Sequence, residues 1–196
     1  MRFSKKVMIA TLILWTGVSS ATGYAARQTL RSSVLHNGEN ISVDLMANDF
    51  GCKGKNIQPE LSWQSSPEGT RSYAITLYDK DADTGSGFWH WMLIDIPAAR
   101  NYLSRNEIPD GATIKENDTG KRNYLGPCPP VGKVHSYIYT LHALDVEKLD
   151  VPDNSTAPLT GYFINQHTLA TSTLTLKVVR NQRPLVFLNR RQINES

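Results

Sequence analysis

The 196-residue chain has little cysteine: two residues, Cys52 and Cys128. Two thiolates fill half of a structural zinc shell, and no spacing of His, Asp or Glu offers a convincing remainder, so no metal centre is expected. No Ser or Cys stands in a recognisable nucleophile elbow, which leaves acyl transfer without its signature. Internal repeats and low-complexity linkers are also missing, so an array of units is excluded. The longest apolar run, Val7 to Val18, falls short of the about 20 residues that a membrane span needs.

That run has another reading. Arg2, Lys5 and Lys6 precede it and the small residues of "SSATGYAA" follow it, which is the order of an export signal. Cleavage could follow Ala21, or fall near Ala25 or Ala26, and the expected division is a signal over 1–26, a domain over 27–180 and a basic tail over 181–196. Loss of the signal removes three of the 21 Lys+Arg and none of the 18 Asp+Glu, so the mature chain is formally neutral. A neutral chain gives no global reason to expect nucleic acid as a partner. The remaining basic excess is local: Arg180, Arg183, Arg190 and Arg191 face only Glu195 near the C-terminus. A periplasmic or secreted location is oxidising, and there Cys52 and Cys128 are expected to be bonded to each other.

The rest of the chain is mostly strand-like. "SYAITLYD" (72–79) alternates, "WHWMLIDI" (89–96) is almost continuously apolar, and "HSYIYTLHAL" (135–144) and "STLTLKVV" (172–179) complete four strong candidates. The unbroken apolar run suits a strand covered on both faces. Between Ala157 and Ala170 a rough stripe of Leu159, Phe163 and Leu169 predicts a helix, capped by Ser155 or Thr156. The expected class is mainly β, with two packed antiparallel sheets and one or a few peripheral helices.

Three stretches carry chemistry. "YDKDADTGSGFWHW" (78–91) ends a strand in Asp79 and Asp81, turns through glycines and starts the next strand with His90. "YLGPCPPVGKVHSY" (124–137) sets Gly126, Pro127 and Pro130 around Cys128, just before His135 and Tyr137. Proline fixes φ and lacks an N–H, so this is a stiff loop and neither helix nor central strand. "GCKGKNIQPELSW" (51–63) is a lysine- and asparagine-bearing loop ahead of a strand. Each alone has a plain structural explanation, since acids at strand ends commonly cap turns. Together they describe a concave site in which imidazoles donate to an anion, aspartates orient the imidazoles, and N–H groups of the glycine-containing loop add neutral donors.

These stretches also carry a resemblance. "NIQPELSW", "DKDADTGSGFWHWMLIDIP" and "GPCPPVGKVHSYIYTLHAL" resemble the phosphatidylethanolamine-binding protein family, which includes the Raf kinase inhibitor proteins, and look most like its exported bacterial YbcL-type branch. The likeness runs from about Val34 to Val179 and implies a large antiparallel sheet packed on a smaller one, with a small anion pocket. Asp79 and Asp81 match the acids of the family's Asp-Pro-Asp-x-Pro segment, and His90 the histidine after it. Gly126, Pro127 and Pro130 match its Gly-x-Pro-Pro loop, and His135 and Tyr137 the His-x-Tyr that follows. Two family prolines are Lys80 and Asp83 here, so the acidic turn is less stiff. The basic tail has no clear family counterpart.

The resemblance implies a binding module without catalysis or cofactor, which takes phosphate or a phospholipid headgroup and has a protein partner as a further option. Two alternatives remain: a hydrolase using the Asp/His cluster, and an interaction protein whose pocket is vestigial.

Overall fold

The computed structural model describes residues 27–181. The expected signal, and the tail beyond Asn181, lie outside the described residues.

Eight strands and one α-helix follow in the order β1 (Thr29–Arg31), β2 (Leu61–Gln64), β3 (Ser72–Asp79), β4 (Phe88–Pro97), β5 (Tyr102–Leu103), β6 (Thr113–Lys115), β7 (Val134–Leu144), α1 (Ala157–Gln166) and β8 (Thr168–Val179). They form a five-stranded sheet, β6-β4-β3-β7-β8, and a three-stranded one, β1-β2-β5, with antiparallel pairing throughout. This is the mainly β, two-sheet architecture expected from the sequence.

Alternation decides which side chains meet. In β3, Tyr73, Ile75 and Leu77 enter the core between the sheets, while Ala74 joins a second cluster on the far face. In β4, Trp91 and Leu93 face the first cluster, and Met92 and Ile94 the second. The large sheet is thus covered twice, which explains the unbroken apolar run of β4. From the small sheet, Trp63 packs edge-on against Tyr73 with ring centroids 5.3 Å apart.

The helix differs from its expectation. It starts where expected, with the Thr156 side chain accepting from the Leu159 N–H, but it ends at Gln166, and residues 168–170 already belong to β8. Its buried face is Ala157, Thr160, Gly161 and Ile164, whereas Leu159 and Leu169 are 43% and 45% exposed. Small residues win this face because they let the helix lie close on the sheet: a Cβ on Gly161 would sit 3.6 Å from the Trp89 ring.

Two irregularities in β4 matter for the site. Leu77 pairs with Trp91 but Tyr78 pairs with Trp89, so His90 is an extra residue opposite a single step of β3. Further along, Tyr73 pairs with Ile96 and Ile75 with Leu93, and Asp95 in that interval takes φ 60°. Both are β-bulges, which re-aim a side chain without ending the strand.

Candidate functional site

The floor of the site is built by strand register. Asp79, the last residue of β3, lies opposite Tyr137 of β7, and His135 is two residues earlier on the same face of β7. Asp79 Oδ2 accepts from His135 Nδ1 at 2.8 Å, and Oδ1 accepts from the Asp81 N–H at 3.0 Å. The Tyr137 hydroxyl accepts the Cys128 N–H at 3.2 Å and feels the nearby Asp79 carboxylate. Burial, reinforced by the Asp79 carboxylate, pushes this hydroxyl well above its ordinary range, so it stays protonated. Asp79 is thus a buried hub, 3% exposed, whose acceptor sites are spent on fixing its neighbours.

His90 reaches the same floor through its bulge. Plain alternation would set it on the opposite face from Trp91; the extra residue turns it toward Tyr137, with ring centroids 5.2 Å apart. Its Nδ1 lies 3.1 Å from the Leu125 carbonyl, and a carbonyl can only accept, so Nδ1 carries the proton. Burial lowers the ring to about 4, against the smaller opposing effect of Asp79. At neutral pH His90 is therefore uncharged, and its Nε2 is an acceptor. The sequence had suggested a donor there; burial and the Leu125 bond reverse that role.

The walls are loops. The expected Cys52–Cys128 disulfide is present and joins the Pro-rich loop to the 51–56 segment. Asn56 ties the two again, accepting from the Gly126 N–H at 2.7 Å and donating to the Tyr124 carbonyl at 3.0 Å. Gly126 is required by close approach: a Cβ there would lie 2.3 Å from the Leu45 carbonyl oxygen. The Pro127 carbonyl accepts from Ala47 at 3.1 Å. These bonds also remove the loop's expected neutral donors, with the exception of the Val131 N–H. Three prolines have no N–H, and the N–H groups of Gly126, Cys128 and Gly132 go to Asn56, Tyr137 and the Arg180 carbonyl.

The cavity between floor and walls is about 330 Å³ and opens to solvent. Of the residues predicted from sequence, Asp79, His90, Pro130, His135 and Tyr137 line it together. Gly126 and Pro127 are buried behind the wall, and Asp81 is an exposed residue outside it. Asp81 Oδ2 accepts the Ser136 N–H at 2.7 Å, and Ser136 holds this carboxyl below its ordinary range. Its work is to fix the start of β7. The sequence reading missed Phe50, Phe88 and Leu125, which make the apolar walls, and Arg180, which it had counted with the basic residues near the C-terminus. Phe88 could have been found from its place opposite Asp79 in a hairpin. Arg180 could not, because it is brought in by a bridge to Val131 that leaves no local pattern. A larger cavity of about 940 Å³ lies across Arg180; it contains Lys53 and no acid–imidazole cluster. Among the described residues no group of three His, Cys, Asp or Glu could hold a metal ion.

Comparison with known proteins agrees with this geometry. A family model described as phosphatidylethanolamine-binding protein matches residues 31–179. The UPF0098 protein YbcL of Escherichia coli K12 is 37% identical over 179 residues, covering 87% of this chain and 96% of its own. YbhB of the same organism is 38% identical over 152 residues, covering 74% and 96%. The crystal structure of E. coli YbcL, described as a member of the mammalian PEBP family, superposes with a TM-score of 0.76 at 39% identity, over 79% of this chain and 99% of that one. The chain belongs to the phosphatidylethanolamine-binding protein family.

Proposed function

We propose that this chain is an exported, non-catalytic binding protein for a small phosphate-type anion, either free phosphate or a phosphorylated headgroup. The observation that carries the reading is the convergence of Asp79–His135, His90 and Tyr137 on one small cavity with apolar walls. Its size suits a headgroup and not a whole lipid. The acceptor on His90 selects a form of the ligand: a singly protonated phosphate can donate its P–OH to Nε2 while its other oxygens remain anionic. His135, with Nδ1 committed to Asp79, presents Nε2 to the same ligand. Catalysis is not part of the reading: Cys128 is held in a disulfide, no Ser, Thr or Lys is among the described lining residues, and Asp79 is committed to holding His135 and the Asp81 N–H.

Export is supported by that disulfide and by a Mycobacterium tuberculosis relative, LppC, whose name calls it a lipoprotein and which is 35% identical over 129 residues.

Calorimetric titration with inorganic phosphate and with phosphorylethanolamine tests the proposal, alongside a hydrolysis assay on p-nitrophenyl phosphate. Saturable binding without turnover is expected, weakened by His135→Gln. Turnover would establish the hydrolase instead, and an absence of binding to both ligands would leave the pocket vestigial.

A further inference from the structure

An anion in this pocket needs positive charge, and on the floor the His135 imidazole is already paired with the Asp79 carboxylate. Asp79 is a buried carboxylate, and Asp83 adds a second at the rim. His90 is uncharged at neutral pH, burial and the Asp79 carboxylate keep the Tyr137 hydroxyl protonated and neutral, and the loop N–H groups of Gly126, Cys128 and Gly132 are spent. Among the described lining residues, Arg180 is the one guanidinium or ammonium group.

Its placement is built. The Arg180 carbonyl accepts the Gly132 N–H at 3.0 Å, which locks its backbone to the Pro-rich loop just past the end of β8. Its side chain crosses to the other wall, where Nη1 donates to the Phe50 carbonyl at 3.2 Å and rests 3.3 and 3.5 Å from the two sulfurs of the disulfide. Nε is buried with no partner among the described residues. A guanidinium has five N–H donors in a planar fork, so one occupied nitrogen leaves most of it available. Arg180 lines both the small cavity and the larger one beside it, and its charge reaches the Tyr137 hydroxyl on the floor. The family match ends at residue 179, one position short of it.

We propose that Arg180 is the cation of this site: seated on the Cys52–Cys128 disulfide and the Phe50 carbonyl, it holds the phosphate-type anion over the Asp79–His135 floor. This rests on the anion reading above. It gives the disulfide a second role, as the seat that aims the guanidinium, and it divides the labour of the pocket. His90 and the floor sort ligands by shape and protonation, and Arg180 supplies the attraction.

Calorimetric titration of inorganic phosphate and of phosphorylethanolamine into the wild type, Arg180→Gln and Arg180→Lys tests the proposal. Arg180→Gln should weaken both ligands at least tenfold and flatten the dependence of affinity on salt, while Arg180→Lys should retain part of the affinity. Equal loss for both ligands points to the shared phosphate group as the partner of Arg180. A loss confined to phosphorylethanolamine would overturn the proposal, because the phosphate group common to both ligands would then not be what Arg180 holds. Wild-type binding with Arg180→Gln within twofold of it would overturn the role of Arg180 alone, whereas no binding by the wild type would overturn the anion reading itself. If Arg180→Gln does not fold, the wild-type protein still decides: saturating phosphate should shift the Arg180 Nε–H resonance in ¹⁵N NMR, and an unmoved resonance would exclude the contact.

Discussion

The floor and the walls of the pocket are held by different means. On the floor, Asp79, His135 and Tyr137 stand on two neighbouring strands of the large sheet, and their separations follow from register. The walls are loops with almost no regular structure. They are held by a disulfide, an asparagine with two loop contacts, a glycine that admits a backbone contact and an arginine that spans the gap. A sheet places side chains to within a fraction of an ångström at no extra expense, because its own ladder already fixes them. A loop achieves the same only through contacts between residues far apart in sequence, and each contact must offset the entropy of ordering it. Floor substitutions should therefore disturb stability and binding through one hub, whereas wall substitutions should separate the two.

The largest effect is expected at the hub. Asp79→Ala leaves His135 and the Asp81 N–H without their acceptor at once, and should cost about 5 kcal/mol, near the upper end for a broken buried pair. Urea denaturation measures it; a loss below about 1 kcal/mol would show that the floor does not depend on this carboxylate.

Removing the wall's covalent tie comes next. Cys52→Ser with Cys128→Ser opens a ring closed over a separation of 76 residues, which the chain-entropy argument values at roughly 4 kcal/mol. Phosphate affinity should fall together with the thermal midpoint. A lower midpoint with unchanged affinity would make the disulfide a stabilising link only and would separate wall from function.

Acid should act on the floor through His90. Its folded value, about 4, lies below the ordinary 6.5, so the unfolded chain takes the proton first. The stability this ring contributes is whole above about pH 6.5 and is lost as the pH falls toward 4, by about 3 kcal/mol at the lower limit. His142, lowered to about 4 by burial, adds a loss of the same sign. Denaturation curves between pH 7 and 4.5 should show the decline, and His90→Asn, which keeps a donor for Leu125, should reduce the slope. An unchanged slope in that variant would mean that His90 is not held neutral.

Gly126→Ala tests the wall on the smallest scale. Its Cβ would meet the backbone of Leu45, which cannot swing aside like a side chain, and a loss of about 2 kcal/mol is expected. Binding should weaken only as far as the loop shifts, so affinity and midpoint measured together report how tightly the wall is coupled to the floor.

The difference between floor and walls also marks what could be seen in the sequence. Asp79, His135 and Tyr137 were legible because each lies at the end of a strongly patterned strand, and period-two alternation places all three on one face. The helix was legible in its start, through the Thr156 cap, and not in its end or its buried face. There the hydropathy stripe of Leu159 and Leu169 competed with the tight packing of Gly161 on Trp89, and packing prevailed. The bonding of the two cysteines followed from the expectation of export and from their being the only two.

The sequence by itself determined the four long strands of the large sheet, the covered apolar run of β4, the cysteine pair and the residue types of the pocket floor. These depend on interactions within a few residues of each other, or on counting. Only the tertiary structure decided that a bulge turns His90 inward and a carbonyl makes it an acceptor, that the proline loop spends three of its donors on Asn56, Tyr137 and Arg180, and that Arg180 lines the pocket. Each of those outcomes depends on a partner dozens of residues away. A donor's role is set by what it meets in space, and that is decided by the closure of loops and the register of distant strands, which no local pattern of residues records.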